Sequence, residues 1–381
     1  MVILEYPIEF GLLPSWLASS HHPILENDCA RELARTGLKL NLIPELEAIT
    51  RINEGERVYT CSETALELIV TKVDNPELTR AIETCKDKAA LRRAVQSTDP
   101  DFFFLEATAS ELRSLDYRSL PARFILKPNR GFCSVGVFVI ECEKDWNDAL
   151  TAIEDGKVTS SYPQNVIDET TYILEQFIDG TEYALDMYYD DEGKPHILNV
   201  LRHDFASPED TSDRLYITSP SIISSMVPRF SSWFARLNEE LRFSNFCIHV
   251  ETRVDGDTIR AIEFNPLRFA GIGGTDISHY AYDYYTYEAY LDNRDVDFEE
   301  IAQKHAGKAF AMSLIVPEPD IPPSSDFDME AFCAPLPNVL EARRLDTEKT
   351  GAWAFIFAEA DEANEDRLTH LMNADLHDYV I

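Results

Sequence analysis

The chain of 381 residues predicts an α/β fold over residues 1–84 and an α+β fold beyond them. Three observations carry this. Short apolar strands alternate with helical stretches in the first part. From Arg123 onward β-branched and aromatic runs dominate, broken by polar turns at Asp179-Gly180, Asp190–Gly193 and Asp255-Gly256. A proline-rich tract, Val316–Ser325, then separates a final hairpin pattern from the rest. The division expected is an N-terminal α/β domain over 1–84, a central domain over 85–300 with a subdomain at about 105–178, and a small C-terminal α+β appendage over 301–381.

In chain order, Asn27-Asp28 caps a helix over Cys29–Thr36, Val58–Cys61 reads as a buried strand, and Glu63–Val70 as helix. Asn75-Pro76 opens one long helix running to about Gln96, with asparagine as N-cap and proline in the first turn. Arg123–Ile140 reads as two strands around a loop, followed by an acidic helix over Lys144–Glu154. Strands are expected at Tyr172–Ile178, Glu182–Tyr189 and His196–Leu201, then a polar loop over Phe205–Ser219 and a helix over Met226–Leu241. A hairpin joins Phe246–Val254 to Thr258–Phe264, and a last one joins Val339–Leu345 to Ala352–Glu359 before a helix over Ala363–Met372.

The net charge of −34 argues against nucleic acid or an anionic membrane as partner. No apolar run approaches the roughly 20 residues a membrane helix needs, and the N-terminus lacks the basic region of a signal peptide. The expectation is a soluble, cytoplasmic protein. Seven scattered cysteines without a C-x-x-C pair suit neither zinc nor a disulfide framework.

Chemistry concentrates in two segments. In the first, Lys127 closes a strand and is followed by a small polar loop with Gly131, Ser134 and Gly136. Small residues beside a lysine let backbone N–H groups approach an anion. It is not a Walker A loop, since no Gly-Lys-Ser/Thr is present and a strand follows. In the second, Glu263 and Asn265 stand two apart on a strand and share a face. A two-residue Asp255-Gly256 turn pairs Glu251 with Arg260 and puts Glu263 on the other face. A three-residue turn or one bulge makes Glu251 and Glu263 same-face diagonal neighbours, about 7–8 Å apart. Such a set suits magnesium, which takes carboxylate, amide and phosphate oxygens. A solvated acidic face is the plain alternative in so acidic a chain, but Ile262 and Phe264 flank Glu263, and carboxylates set in apolar sequence need a partner.

With these residues in view the chain resembles the ATP-grasp superfamily of ligases over about residues 60 to 280. The resemblance implies an ATP-grasp fold, in which an N-terminal α/β domain precedes two α+β subdomains that clamp ATP. Lys88, within Lys86–Arg92, resembles the first phosphate-contacting lysine; Lys127 with Ser134 resembles the second and its loop. Glu175, Phe177 and Ile178 resemble the strand whose backbone reads adenine, and Glu182 the acid that holds the ribose. Glu251, Glu263 and Asn265 resemble the ligands of magnesium, or of manganese in its place. Many members carry an arginine two residues past the asparagine. Here Leu267 stands there, and the role falls to Arg268. Ala270–Asp276 resembles the glycine-rich loop near the acceptor site.

Arg202, after the third central strand, is a second candidate catalytic arginine, weighed against a structural ion pair; His203 beside it is a weaker candidate. His249 reads as a core histidine, the tyrosine-rich Tyr280–Tyr290 as a packed helix or subunit contact, and His21-His22 carries no assignment. The resemblance implies an ATP- and magnesium-dependent carboxylate–amine ligase working through an acylphosphate, with small carboxylate and amine substrates such as amino acids. A kinase or carboxylase of the same fold, or a non-catalytic nucleotide-binding protein, are the rivals. The C-terminal appendage would either cover the acceptor site or form a homodimer.

Overall fold

The computed structural model describes residues 1–6, 11–131, 136–155, 170–207, 210, 212–322 and 325–381. The chain divides into two compact units, one of Arg80–Gly180 with Arg236–Arg242, the other of Met1–Thr79, Thr181–Ala235 and Phe243–Ile381.

The larger unit begins with four short parallel strands, β1 (Val2–Ile3), β2 (Pro23–Leu25), β3 (Asn41–Ile43) and β4 (Tyr59–Thr60), in the order β3-β2-β1-β4. Parallel neighbours need crossover helices, here Leu13–Ser20, Asp28–Arg35 and Glu45–Asn53. The expected Asn27 cap is present, its side-chain oxygen accepting the Ala30 amide at 2.8 Å.

The smaller unit holds an antiparallel sheet of β5 (Phe104–Thr108), β6 (Phe124–Pro128), β7 (Phe138–Ile140) and β8 (Thr171–Gln176), ordered β5-β8-β6-β7. Strand alternation gives the sheet two unlike faces. Phe124, Leu126, Tyr172 and Leu174 bury one face against Trp146 and Ala149 of the helix Glu143–Glu154. Glu106, Lys127 and Glu175 occupy the other. The single helix expected from Asn75 to Gln96 is two, Pro76–Lys86 and Lys88–Val95. Asp87 leaves helical geometry (φ −107°, ψ 102°) and caps the second, accepting the Ala90 amide at 2.7 Å. The break makes Lys88 the first residue of a new helix.

The remaining strands of the larger unit, β9 (Thr181–Tyr189), β10 (Pro195–His203), β11 (Tyr216–Thr218), β12 (Phe246–Asp255), β13 (Thr258–Pro266), β14 (Lys308–Ile315), β15 (Asn338–Arg344) and β16 (Ala354–Asp361), form one sheet. Its order is β13-β12-β9-β10-β11-β14-β16-β15. The C-terminal hairpin expected within an appendage is present, but it extends this sheet, with β16 inserted between β14 and β15. The helix expected from Met226 starts earlier, at Pro220, because the Ser219 hydroxyl accepts the Ile222 amide at 3.2 Å and proline fits the first turn. This helix covers one sheet face: Phe230 meets Tyr183, Phe234 meets Phe264, and the Tyr189 hydroxyl donates to the Phe234 carbonyl. Toward the other face, Tyr188, Leu198 and Phe269 share a core with Val2, Ile24 and Tyr59. Tyr287 and Tyr290 from the tyrosine-rich stretch are buried in that core, which accounts for their apolar setting. Among the described residues no helix is long and apolar enough to cross a membrane, and the six described cysteines are free thiols.

Candidate active site

In the smaller unit the polar sheet face gathers charge. Ile125 lies opposite Glu175 and Lys127 opposite Ile173, so Lys127 and Glu175 share a face as diagonal neighbours. Lys127 Nζ is 2.7 Å from Glu175 Oε2, and Arg92 Nε, from the helix Lys88–Val95, is 2.5 Å from Oε1. The three side chains are 8, 3 and 6% exposed for Lys127, Glu175 and Arg92. Burial alone would raise the Glu175 carboxyl, but Arg92 and Lys127 overcome it and hold it at about 2. Burial pushes the Lys127 ammonium below its ordinary value, against the pull of Glu175 and with Lys88 and Arg92 adding to the push. Lys88 thus stands within electrostatic reach of Lys127. Its Nζ donates to the Gly131 carbonyl at 3.2 Å, and Asn129 stitches this loop to the helix start by accepting the Lys88 and Ala89 amides.

Phe177 and Ile178 follow β8. The Phe177 amide donates to the Arg123 carbonyl at 3.1 Å, and the Arg123 guanidinium lies 3.5 Å from the centre of its ring. Phe177 therefore has no amide proton to offer a base, and Ile178 is buried. Ser134 lies outside the described residues.

In the larger unit, register builds three rows on one sheet face. The first is Arg253–Glu182–His203 across β12, β9 and β10. Glu182 accepts from His203 Nδ1 at 2.9 Å and from Arg253 Nε at 3.1 Å. The second row, two residues and about 7 Å along, pairs Glu263 directly with Glu251, beside Ala184 and Leu201. The third aligns Asn265, His249, Asp186 and Asn199. The hairpin turn is the two residues Gly256-Asp257, and a bulge between β12 and β13 after Glu251 leaves Ile262 without a partner. That bulge makes the two glutamates direct neighbours rather than diagonal ones.

Burial first, then the facing Glu263, with Glu182 and Asp213, drive the Glu251 carboxyl well above the ordinary carboxylate range, while Arg268 pulls the other way. Two facing carboxylates in a half-buried site call for a cation or a shared proton. Two carboxylates and the Asn265 amide oxygen are hard donors that fit magnesium. Among the described residues no group of three or more His, Cys, Asp or Glu side chains could hold a metal ion, so phosphate and water oxygens would complete such a shell.

Arg268 follows an unusual stretch of backbone. Leu267 takes a left-handed conformation (φ 56°), with its amide bonded to the Cys247 carbonyl and its own carbonyl accepting the Thr60 amide. Past this kink the Arg268 guanidinium is bound by Glu63 at 3.3 Å and donates to the Phe269 carbonyl at 3.1 Å, and its charge is the weakest of the influences on Glu251. Arg202 is a correction. It pairs with Tyr183 and Ile217, and so lies on the sheet face opposite Glu182, Glu251 and Glu263. There its guanidinium is bound by Asp204 and Glu365 at 2.7 and 2.6 Å. His203, one residue on, is the side chain that joins the rows.

Three residues escaped the sequence reading. Arg92 and Arg253 are brought in only by tertiary packing. Asp186 had a signal, an acid inside the apolar run Ala184–Tyr189. Buried, it accepts from His249 Nδ1, the Ala270 amide and the Thr275 hydroxyl, tying down the glycine-rich loop. At the end of that loop Asp276 accepts from Arg343 at 2.9 Å and from the Leu12 amide at 2.8 Å. Burial raises its carboxyl to about 6, with Arg343 opposing. Gly273 (φ 75°) is required here, because a Cβ would stand 2.6 Å from Arg343 Nη1.

Residues 120–276 match the ATP-grasp domain family. No curated protein sequence matches the chain. The fold resembles the L-amino acid ligase of Bacillus licheniformis at TM-score 0.66 and 16% identity, covering 100% of this chain and 97% of that one. It also resembles N5-carboxyaminoimidazole ribonucleotide synthetase from Thermotoga maritima (TM-score 0.61, 14% identity, 100 and 98% covered). Phosphoribosylglycinamide synthetase from Anaerococcus prevotii is a third (TM-score 0.57, 12% identity, 100 and 98% covered). A lysine-bearing sheet in one unit and three rows of acid, amide and histidine in the other thus belong to a chain that has the ATP-grasp fold and matches the ATP-grasp domain family over residues 120–276.

Proposed function

We propose that this protein is an ATP- and magnesium-dependent carboxylate–amine ligase that releases ADP and phosphate. The observation that carries the reading is the direct pairing of Glu251 with Glu263, with Asn265 one row on. Lys88 and Lys127 supply positive charge for the phosphates, and Glu182, already fixed by His203 and Arg253, keeps lone pairs for ribose hydroxyls. Magnesium, when held by Glu251, Glu263 and Asn265, neutralises phosphate charge. A carboxylate oxygen of the first substrate attacks the γ-phosphorus as the bond to the bridging oxygen breaks, giving an acylphosphate and ADP. The amine nitrogen then attacks the acyl carbon, the bond to the phosphate oxygen breaks, and the nitrogen sheds a proton. Arg268 steadies the phosphate oxygens; Arg202 is given no part, because its strand face points away. Water exclusion matters throughout, since an acylphosphate hydrolyses readily.

Amino acids are the proposed substrates, supported by the likeness to an L-amino acid ligase. The test is ADP and phosphate release from ATP and magnesium across amino acids, singly and in pairs, with bicarbonate included. Release that needs a carboxylate and an amine together supports the ligase. ADP formation with one substrate alone identifies a kinase, and release that depends on bicarbonate a carboxylase.

A further inference from the structure

We infer that Glu175 works through its side chain as the positioning residue of the phosphate lysine, holding Lys127 charged and aimed, with Arg92 as the second support. The inference rests on Lys127 being a phosphate ligand. The sequence resemblance gave Glu175 only a backbone part, but its backbone pairs with Phe104 and Ile125 inside the sheet and its side chain binds two cations. Its two oxygens bind different cations, Arg92 Nε at 2.5 Å and Lys127 Nζ at 2.7 Å, and it is 3% exposed. The anchor continues outward: the Arg92 guanidinium lies 4.5 Å from the centre of the Phe102 ring. Phe102, Arg92, Glu175 and Lys127 thus form a connected series from core to sheet face.

Among the described residues, four charges face Lys127. The helix Lys88–Val95 brings Lys88 and Arg92, β8 brings Glu175, and β5 brings Glu106. Arg93 occupies Glu106 at 2.6 Å. Among the described residues, Arg92 and Lys127 bind one buried carboxylate and Lys88 lies within electrostatic reach of Lys127, a local positive excess in a chain of net charge −34. That excess suits a polyphosphate, and it is hard to maintain, since a buried lysine beside two like charges tends to lose its proton. Among the described residues, Glu175 supplies the one opposite charge in contact with it.

The experiment measures ADP affinity by calorimetry from about pH 7.5 to about pH 9.5, a range below the ordinary lysine pKa. Wild type is compared with Glu175→Gln, Glu175→Asp and Lys127→Ala. Glu175→Gln should weaken ADP about tenfold at the lower pH, the scale of one charge-assisted contact. The loss should grow as pH rises, because Lys127 now deprotonates earlier. Glu175→Asp should restore the wild-type pH profile with a smaller loss of affinity. Wild-type affinity and a parallel profile in Glu175→Gln would overturn the inference while leaving Lys127 as a phosphate ligand. Unchanged affinity in Lys127→Ala would overturn that assignment itself. If Glu175→Gln does not fold, Glu175→Asp decides alone: one methylene shorter, it cannot span both cations, so wild-type affinity overturns the inference and a few-fold loss supports it.

Discussion

Glu263 faces Glu251 across neighbouring strands, and its removal should separate turnover from nucleotide binding. Glu263→Gln is expected to lower turnover by at least roughly 100-fold, the scale of losing metal-assisted charge stabilisation. ADP affinity without magnesium should stay close to wild type, and a variant that turns over normally would exclude the metal site. Asp276 offers a second test, through pH. Its folded carboxyl sits at about 6, above an ordinary 3.8, so the fold binds this proton more tightly than the unfolded chain does. The group favours folding below about pH 4, and that contribution fades as pH rises through about 6, by on the order of 3 kcal/mol. Asp276→Asn removes the titration, so the stability of wild type relative to the variant should fall across that window in urea melts. Parallel curves would mean that Asp276 ionises as freely folded as unfolded. The strand positions of Lys127 and Glu263 were legible, because apolar alternation marks both strands. Arg202 misled because strand parity decides its face, and one position along a strand exchanges sheet face for sheet face.

At the scale of the element, Asp87 decides where the helix carrying Lys88 starts. Asp87→Ala removes the cap of the helix Lys88–Val95 and should cost about 1 kcal/mol. It should also weaken ADP, because the cap fixes where Lys88 begins. Thermal melts and calorimetry check both; lost stability with unchanged ADP affinity would detach Lys88 from the nucleotide. The break was not read from sequence because the apolar period runs through Lys86-Asp87-Lys88 without a glycine or proline to mark it. The hairpin β12–β13 shows the same limit. Its strands were legible, but the turn is Gly256-Asp257 rather than Asp255-Gly256, the register was left open, and the bulge at Ile262 that decides it has no compositional signature.

For the whole molecule, 68 acidic residues against 34 basic ones set the response to salt. Self-repulsion destabilises the compact state, and raising salt from about 0.1 to about 1 M shortens the screening length from about 10 to about 3 Å. The Tm should rise by several degrees over that range. A flat or falling Tm would show that local ion pairs, such as Arg202 with Asp204 and Glu365, outweigh the general repulsion. Ten of the sixteen described strands were legible as segments; β1, β2, β3, β5 and β14 were not named, and β11 falls in the stretch expected as a polar loop over Phe205–Ser219. Their assembly was not: nothing local in Lys308–Ile315 says which strand it joins, and the C-terminal hairpin reads alike whether it stands apart or extends a larger sheet.

That extension has a cost during synthesis. The strand β14 is complete at Ile315, but its neighbour β16 begins only at Ala354, and β15, made in between, docks on β16 alone. On a ribosome adding about 5–20 residues per second, β14 waits roughly 2–8 seconds with one edge open. Its run Ala309–Met312 is then an apolar, unpaired template of the kind that nascent-chain chaperones cover. Ribosomes stalled within this interval should yield chains that hold such a chaperone, and chains released after Asp361 should let it go.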